Sequence, residues 1–207
     1  MEILCLGDSY TIGEQVETQY NFPYQLVKLL RAKGYDFEDP LIIAKTGWTT
    51  DELQSAIVEA GIERKFDFVT LLIGVNNQYR GRSVAEYILE FEGLLVQGLR
   101  FAGDNQRKVI VISIPDWGVT PFAKLPKDDG TNFNQSIIAT EIDAYNDANK
   151  MIAEKYGVHY VEITEGTRKG SSQPDLITTD GLHPSGKEYA IWAQKIFSII
   201  DAELSHK

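Results

Sequence analysis

Two stretches at opposite ends of this chain hold the side chains of a nucleophilic relay. Near the C-terminus, Asp180-Gly181-Leu182-His183-Pro184 sets a carboxylate and an imidazole three residues apart, with a glycine between them. That spacing lets the carboxylate reach Nδ1 of the ring while Nε2 points outward as a base. Near the N-terminus, Gly7-Asp8-Ser9-Tyr10 offers a serine, which becomes a nucleophile when such a base takes its proton. The oxyanion formed when a serine attacks a carbonyl needs hydrogen-bond donors. The backbone N–H groups of Ser9 and Gly47 and the side-chain amide of Asn76 are candidates. Each piece also has a structural reading: Ser9 as a turn or capping serine, and Asp180 as a cap at a helix entry with His183 merely exposed. The choice depends on whether the fold brings them to one place.

The elements around these residues follow from hydrophobic patterning. Ile3-Leu4-Cys5-Leu6, just before the serine, is an uninterrupted apolar run that suits a strand covered on both faces. Leu41 to Ala44, Phe68 to Ile73, Val109 to Ile114 and a short run around Val158 to Ile163 predict four more strands. Helices are expected from about Pro23 to Lys33, from Thr50 onward, from about Val84 to Phe101, from about Ala139 to Tyr156 and from about Pro184 to Leu204. Between the serine and the first of these, Thr11 to Tyr20 reads as polar and irregular. Strands alternating with helices give right-handed βαβ units, hence a five-stranded parallel sheet with helices on both faces. Ligands bind such sheets beyond the carboxyl ends of the strands. Ser9, Gly47, Asn76 and the Asp180–His183 pair follow the first, second, third and fifth strands, so all four fall on that edge. The segment Asp116 to Ile138 leaves the fourth strand at the same edge and is longer than an ordinary connection. It is expected to form a wall or lid of the cleft.

Composition narrows the function further. The 207 residues read as one domain, 1–207, with 43% apolar residues and no internal repeat or linker. Thirty acidic side chains against twenty basic ones leave a formal charge of −10, which repels polyanions and makes nucleic acid an unlikely partner. No apolar run is long enough for a membrane span and no leader-like segment precedes the first strand, so a cytoplasmic location is expected. The lone cysteine, Cys5, lies in an apolar strand and reads as a buried core thiol, and a cysteine-rich metal framework is excluded. His159 and His206 have no carboxylate placed as Asp180 is, and read as a strand-edge and a tail residue.

In this order and spacing, Gly7-Asp8-Ser9, Gly47, Gly74-Val75-Asn76 and Asp180-Gly181-Leu182-His183-Pro184 resemble the blocks of the SGNH, or GDSL-type, hydrolase superfamily, from residue 2 to about 200. The resemblance implies a flavodoxin-like three-layer α/β/α sandwich. It also implies Ser9 as nucleophile, His183 as base, Asp180 as its partner, and Ser9, Gly47 and Asn76 as the oxyanion hole. The activity implied is hydrolysis of carboxylic esters, on small-molecule substrates from short-chain acyl esters and O-acetylated carbohydrate to thioesters and lysophospholipids, with no metal or other cofactor. Two positions depart from the family pattern: Asn77 stands where an aspartate is usual, and Tyr10 where leucine is common. Tyr10, Trp48, Tyr79 and Trp117 fall in loops at the active edge and, with Asn77, are the candidates for substrate contact. Arg80 and Arg82 are either solvated or available to an anionic group on a substrate.

The competing reading is a catalytically inactive flavodoxin-like small-molecule binder. A phosphate cradle at Ser9, Thr11 and Gly13 would need a helix to start at once, where the sequence reads as irregular. A phosphoacceptor receiver would need an aspartate at the end of the third strand, where Gly74 stands.

Overall fold

Each apolar run becomes a strand in the computed structural model, which describes residues 1–127, 129–170 and 173–205. The strands are β1 (Ile3–Gly7), β2 (Leu41–Ala44), β3 (Phe68–Leu72), β4 (Val109–Ile112) and β5 (His159–Val161). They form one all-parallel sheet in the order β2-β1-β3-β4-β5. This is the flavodoxin-like order, in which the chain starts near the middle of the sheet and reverses direction once. The β4 run is trimmed because the backbone of Ile114 leaves the ladder for the Asn146 side chain, which accepts from its N–H at 2.7 Å and donates to its carbonyl at 2.9 Å.

The helices are α1 (Ser9–Ile12), α2 (Phe22–Ala32), α3 (Thr50–Ala60), α4 (Val75–Tyr79), α5 (Val84–Phe101), α6 (Gln135–Tyr156), α7 (Thr164–Gly170) and α8 (Gly186–Ser205). α2 packs on α8 to make one outer layer, and α5 packs between α3 and α6 to make the other. The result is an α/β/α sandwich in which the three central strands β1, β3 and β4, Cys5 among their residues, are buried throughout, while the edge strand β2 and most of β5 are partly exposed. Burial pushes the Cys5 thiol up to about 12, against a hydrogen bond with Thr70 that lowers it, so it stays protonated and unreactive. None of the helices among the described residues is long and apolar enough to cross a membrane.

Three differences from the sequence reading have physical causes. A one-turn helix, α1, starts at Ser9 itself, where an irregular segment was expected from Thr11, and Gly13 ends it at φ 77°. One turn is too short to display a hydrophobic period. Irregularity after the serine therefore does not separate this chain from phosphate-binding relatives of the fold; the chemistry of the site must. Helix α6 begins at Gln135, earlier than expected, because Asn134 caps it by accepting from Ser136 and Ile137 N–H at 3.1 and 3.2 Å. Helix α7 stands between β5 and the Asp180–His183 pair, so that pair reaches the sheet edge through an intervening turn of chain.

Strand register sets the site. Gly7 pairs with Ala44 on one side and Leu72 on the other, so the first three strands end level and release their loops side by side. A Cβ on Gly7 would lie 2.1 Å from Thr11 Oγ1 and 2.4 Å from the Leu72 carbonyl, which leaves glycine as the residue that fits the turn into α1.

Candidate active site

Ser9 is the first residue of α1 and is buried, with its Oγ 3.1 Å from Nε2 of His183. On the far side of the ring, Nδ1 lies 2.6 Å from Asp180 Oδ2. A carboxylate at that distance accepts a hydrogen bond from Nδ1–H and so holds the proton on that nitrogen, which leaves Nε2 as the acceptor facing the serine hydroxyl. Asp180 is fixed in turn through its other oxygen, Oδ1, which accepts from the N–H groups of Leu182 and His183 at 2.8 and 3.0 Å and from Thr178 Oγ1 at 2.7 Å. Asp180 thus makes both the capping contacts and the contact with the ring, one on each oxygen. Burial raises the Asp180 carboxyl, but the bonds from the His183 ring, the two backbone N–H groups and Thr178 outweigh it and hold it at about 2. Asp180 stays ionised at every pH at which the imidazole works.

Next to the serine is a carboxyl with the opposite environment. Asp8 is fully buried; its Oδ1 caps α1 by accepting from Tyr10 N–H at 3.0 Å, while Oδ2 has no hydrogen-bond partner among the described residues. Burial pushes it up to about 7, against the backbone bond from Tyr10 that lowers it.

The serine opens into a cleft of about 250 Å³ lined by Ser9, Tyr10, Thr46, Gly47, Val75, Asn76, Tyr79, Trp117, Phe122, Leu182 and His183. All five residues read from the sequence as catalytic or oxyanion groups are therefore at one place: four line this cleft and Asp180 stands behind His183. Asn76 Nδ2 donates one hydrogen to the Trp48 carbonyl at 3.0 Å, which ties the loop after β3 to the loop after β2 and leaves its second N–H for the cleft. Gly47 sits at φ 84°, a conformation that glycine adopts without strain.

Of the five candidates for substrate contact, Tyr10, Tyr79 and Trp117 line the cleft and the other two do not. Asn77 is fully buried and turned away: its Oδ1 accepts from Thr50 N–H at 3.1 Å and its Nδ2 donates to Thr50 Oγ1 at 2.6 Å. It follows Asn76 on a helix, and one residue of rotation carries it to another face. Trp48 packs against the core and presents its carbonyl to Asn76. Arg82 pairs with Asp51 at 2.7 Å, and His159 pairs with Glu203 at 2.9 Å. His206 lies outside the described residues.

The segment after β4 supplies Trp117, 3% exposed, and Phe122 to the cleft wall. Trp117 is clamped by its indole N–H, which donates to Gln78 at 2.7 Å, and by edge-on contact with Phe133 at 5.0 Å and Tyr79 at 5.4 Å. Thr46, Val75 and Leu182 also line the cleft and were not read from the sequence. Each neighbours a residue that was, and that adjacency was the available signal. Among the described residues, no group of three His, Cys, Asp or Glu side chains is placed to hold a metal ion.

The model of the GDSL-like lipase/acylhydrolase family matches residues 5–191. No curated protein matches the chain. Among solved structures, that of TesA superposes with a TM-score of 0.73 at 19% identity, covering 97% of this chain and 98% of that one. The psychrotrophic esterase EstA from Pseudoalteromonas sp. gives 0.72 at 16% identity, over 99% and 98%. Axe2, an acetylxylan esterase from Geobacillus stearothermophilus, gives 0.72 at 19% identity, over 96% and 93%. At these identities the likeness is one of fold.

Proposed function

This chain belongs to the GDSL-like lipase/acylhydrolase family and is a carboxylic-ester hydrolase, and from that premise we propose that it works through an acyl-enzyme on Ser9 with His183 as base. The observation that carries the proposal is the continuous line from Ser9 Oγ through His183 to Asp180, with contacts of 3.1 and 2.6 Å. As Oγ bonds to the acyl carbon, Nε2 takes the serine proton and Asp180 offsets the charge that forms on the ring. The carbonyl oxygen, now an anion, is met by the N–H groups of Ser9 and Gly47 and by Asn76 Nδ2. The tetrahedral intermediate collapses by breaking the bond to the alcohol, which leaves with the proton from Nε2. Water then attacks the acyl-enzyme by the same route and frees the acid.

The substrate class follows from the lining. Among the described residues that line the cleft there is no Asp, Glu, Lys or Arg, and Tyr10, Val75, Tyr79, Trp117, Phe122 and Leu182 give it its apolar and aromatic wall. This favours esters whose acyl and alcohol parts are neutral, either short acyl chains or O-acetylated carbohydrate, whose apolar faces stack on aromatic rings.

Kinetics on a panel of p-nitrophenyl esters and an acetylated xylo-oligosaccharide test the proposal. Ser9→Ala and His183→Ala should each lower kcat about a thousandfold or more in folded protein, because nucleophile and base act as one unit. Wild-type turnover by Ser9→Ala would overturn it.

A further inference from the structure

Arg80 is one of two arginines near the cleft, and the structure engages it on the protein itself. Its Nη2 donates to the Gly47 carbonyl at 2.6 Å, and its Nη1 lies 3.3 Å from Glu52 Oε2. Glu52 in turn accepts from the N–H and Oγ1 of Thr49 at 2.8 and 2.9 Å. The loop that presents Gly47 is thus held residue by residue: the Thr46 hydroxyl donates to Glu14, Gly47 is bound by Arg80, Trp48 by Asn76 and Thr49 by Glu52.

Gly47 is the weak point of that loop. A Cβ placed on it would meet Arg80 Nη2 at 3.8 Å and, its chain neighbours aside, no other described group within 4 Å, so the side on which a side chain would stand is open except for Arg80. Glycine at φ 84° also has the widest backbone freedom of any residue type. Its carbonyl lies in the same peptide plane as the Trp48 N–H, which donates to the Lys45 carbonyl at 3.2 Å, so Arg80 and that turn together hold the plane after Gly47 and restrict how far the Thr46–Gly47 plane, which carries the donor, can turn. Arg80 closes the end of α4, donating its own N–H to the Asn76 carbonyl at 3.0 Å, so the anchor of one oxyanion donor is built on the helix that carries another.

We propose that Arg80 is a positioning residue of the oxyanion hole: its guanidinium holds the Gly47 carbonyl, aims the Gly47 N–H at the oxyanion, and fixes that donor relative to Asn76. This rests on the oxyanion-hole assignment made above. A donor that is misaimed binds the ground-state carbonyl about as well as before and the transition state worse, so its loss falls on kcat and not on KM. Lysine can reach the carbonyl and keeps the charge, but lacks the planar fork that spans Gly47 and Glu52 together.

The test is steady-state kinetics on p-nitrophenyl acetate for wild type, Arg80→Met and Arg80→Lys, with the rate of phosphonylation by a small p-nitrophenyl phosphonate measured per titrated active site. Arg80→Met should lower kcat about tenfold, leave KM within twofold, slow phosphonylation in parallel and keep a native melting transition. Arg80→Lys should recover part of the loss. A fall in kcat smaller than threefold, a loss confined to KM, or a lysine variant no better than methionine would overturn the proposal. Asn76→Ala serves as the control: if it keeps the wild-type kcat, the oxyanion-hole assignment is at fault and not the role of Arg80.

Discussion

On one side of the cleft, Thr46 to Thr49 and Asn76 are held by hydrogen bonds to Glu14, Arg80, Trp48 and Glu52; on the other, Trp117, Tyr79, Phe122 and Phe133 are held mainly by ring against ring, at centroid separations of 5.0 to 6.3 Å. The two walls have different tolerances. Hydrogen bonds are directional, and an oxyanion donor misplaced by a fraction of an ångström loses much of its effect. Ring contacts are broad and can re-form around a changed partner. The polar wall is therefore expected to govern the rate on every substrate, and the aromatic wall to govern which substrates are taken.

Substitutions can break that division. The largest effect is expected at Asn76: Asn76→Ala should lower kcat by about 10²–10³ on all esters alike, with little change in KM. If the loss varied with acyl chain, the polar wall would be reading the substrate as well. On the aromatic wall, Tyr79 is 53% exposed and can be truncated with little effect on the fold. Tyr79→Ala should change the ratio of kcat/KM between butyrate or xylo-oligosaccharide acetate and plain p-nitrophenyl acetate by about tenfold, the scale of a small change in an apolar pocket. Equal losses on all three would assign Tyr79 to the chemistry. Asn77 sharpens the comparison because it adjoins Asn76 and faces Thr50 and Glu90. Asn77→Asp removes the donor to Thr50 and places a second carboxylate beside Glu90, so it should cost about 1–2 kcal/mol of stability in denaturant unfolding. It should leave kcat near the wild-type value.

The smallest effect concerns pH. The two carboxyls near Ser9 and His183 are shifted in opposite directions, Asp180 to about 2 and Asp8 to about 7. An unfolded aspartate titrates near about 3.9. Between that value and about 7 the native protein holds a proton on Asp8 that the unfolded chain has released, so the contribution of this group to stability falls as pH rises through that window. Asp8→Asn keeps an acceptor for Tyr10 N–H and removes the titration. Its Tm relative to wild type should be a few degrees higher at pH 8 than at pH 5, and an equal difference at both would contradict the raised value. Asp180 has the reverse sign: its contribution is complete above about pH 4 and is lost only as pH falls toward 2.

That Ser9, Gly47 and Asn76 meet at one edge of the sheet was legible in the sequence because it depends on local signals: an apolar run that stops, and then a glycine or polar residue in a turn. Ser9 and Asn76 follow that pattern, in Gly7-Asp8-Ser9 and Gly74-Val75-Asn76, while Gly47 is itself a glycine three residues past its run; strand register converts these positions into a place. Asp180 and His183 were legible because their interaction is nearly local, three residues apart. What was not legible depends on where a side chain points. Asn77 was grouped with the substrate contacts, yet it bonds Thr50, 27 residues away, and no periodicity in a five-residue helix reveals that. Arg80 was read as solvated or as a ligand for an anion, and its engagement of Gly47 needs the whole loop arrangement. The short helices α1, α4 and α7 escaped for the same reason of length.

The central claim is that Ser9 carries the acyl group, and an active-site trap tests it most directly. Wild-type protein treated with a p-nitrophenyl phosphonate should release one equivalent of p-nitrophenol, lose activity in step, and carry the added mass on the peptide that contains Ser9; Ser9→Ala should release none. A stoichiometric adduct on any other residue, or inactivation of Ser9→Ala at the wild-type rate, would contradict the account.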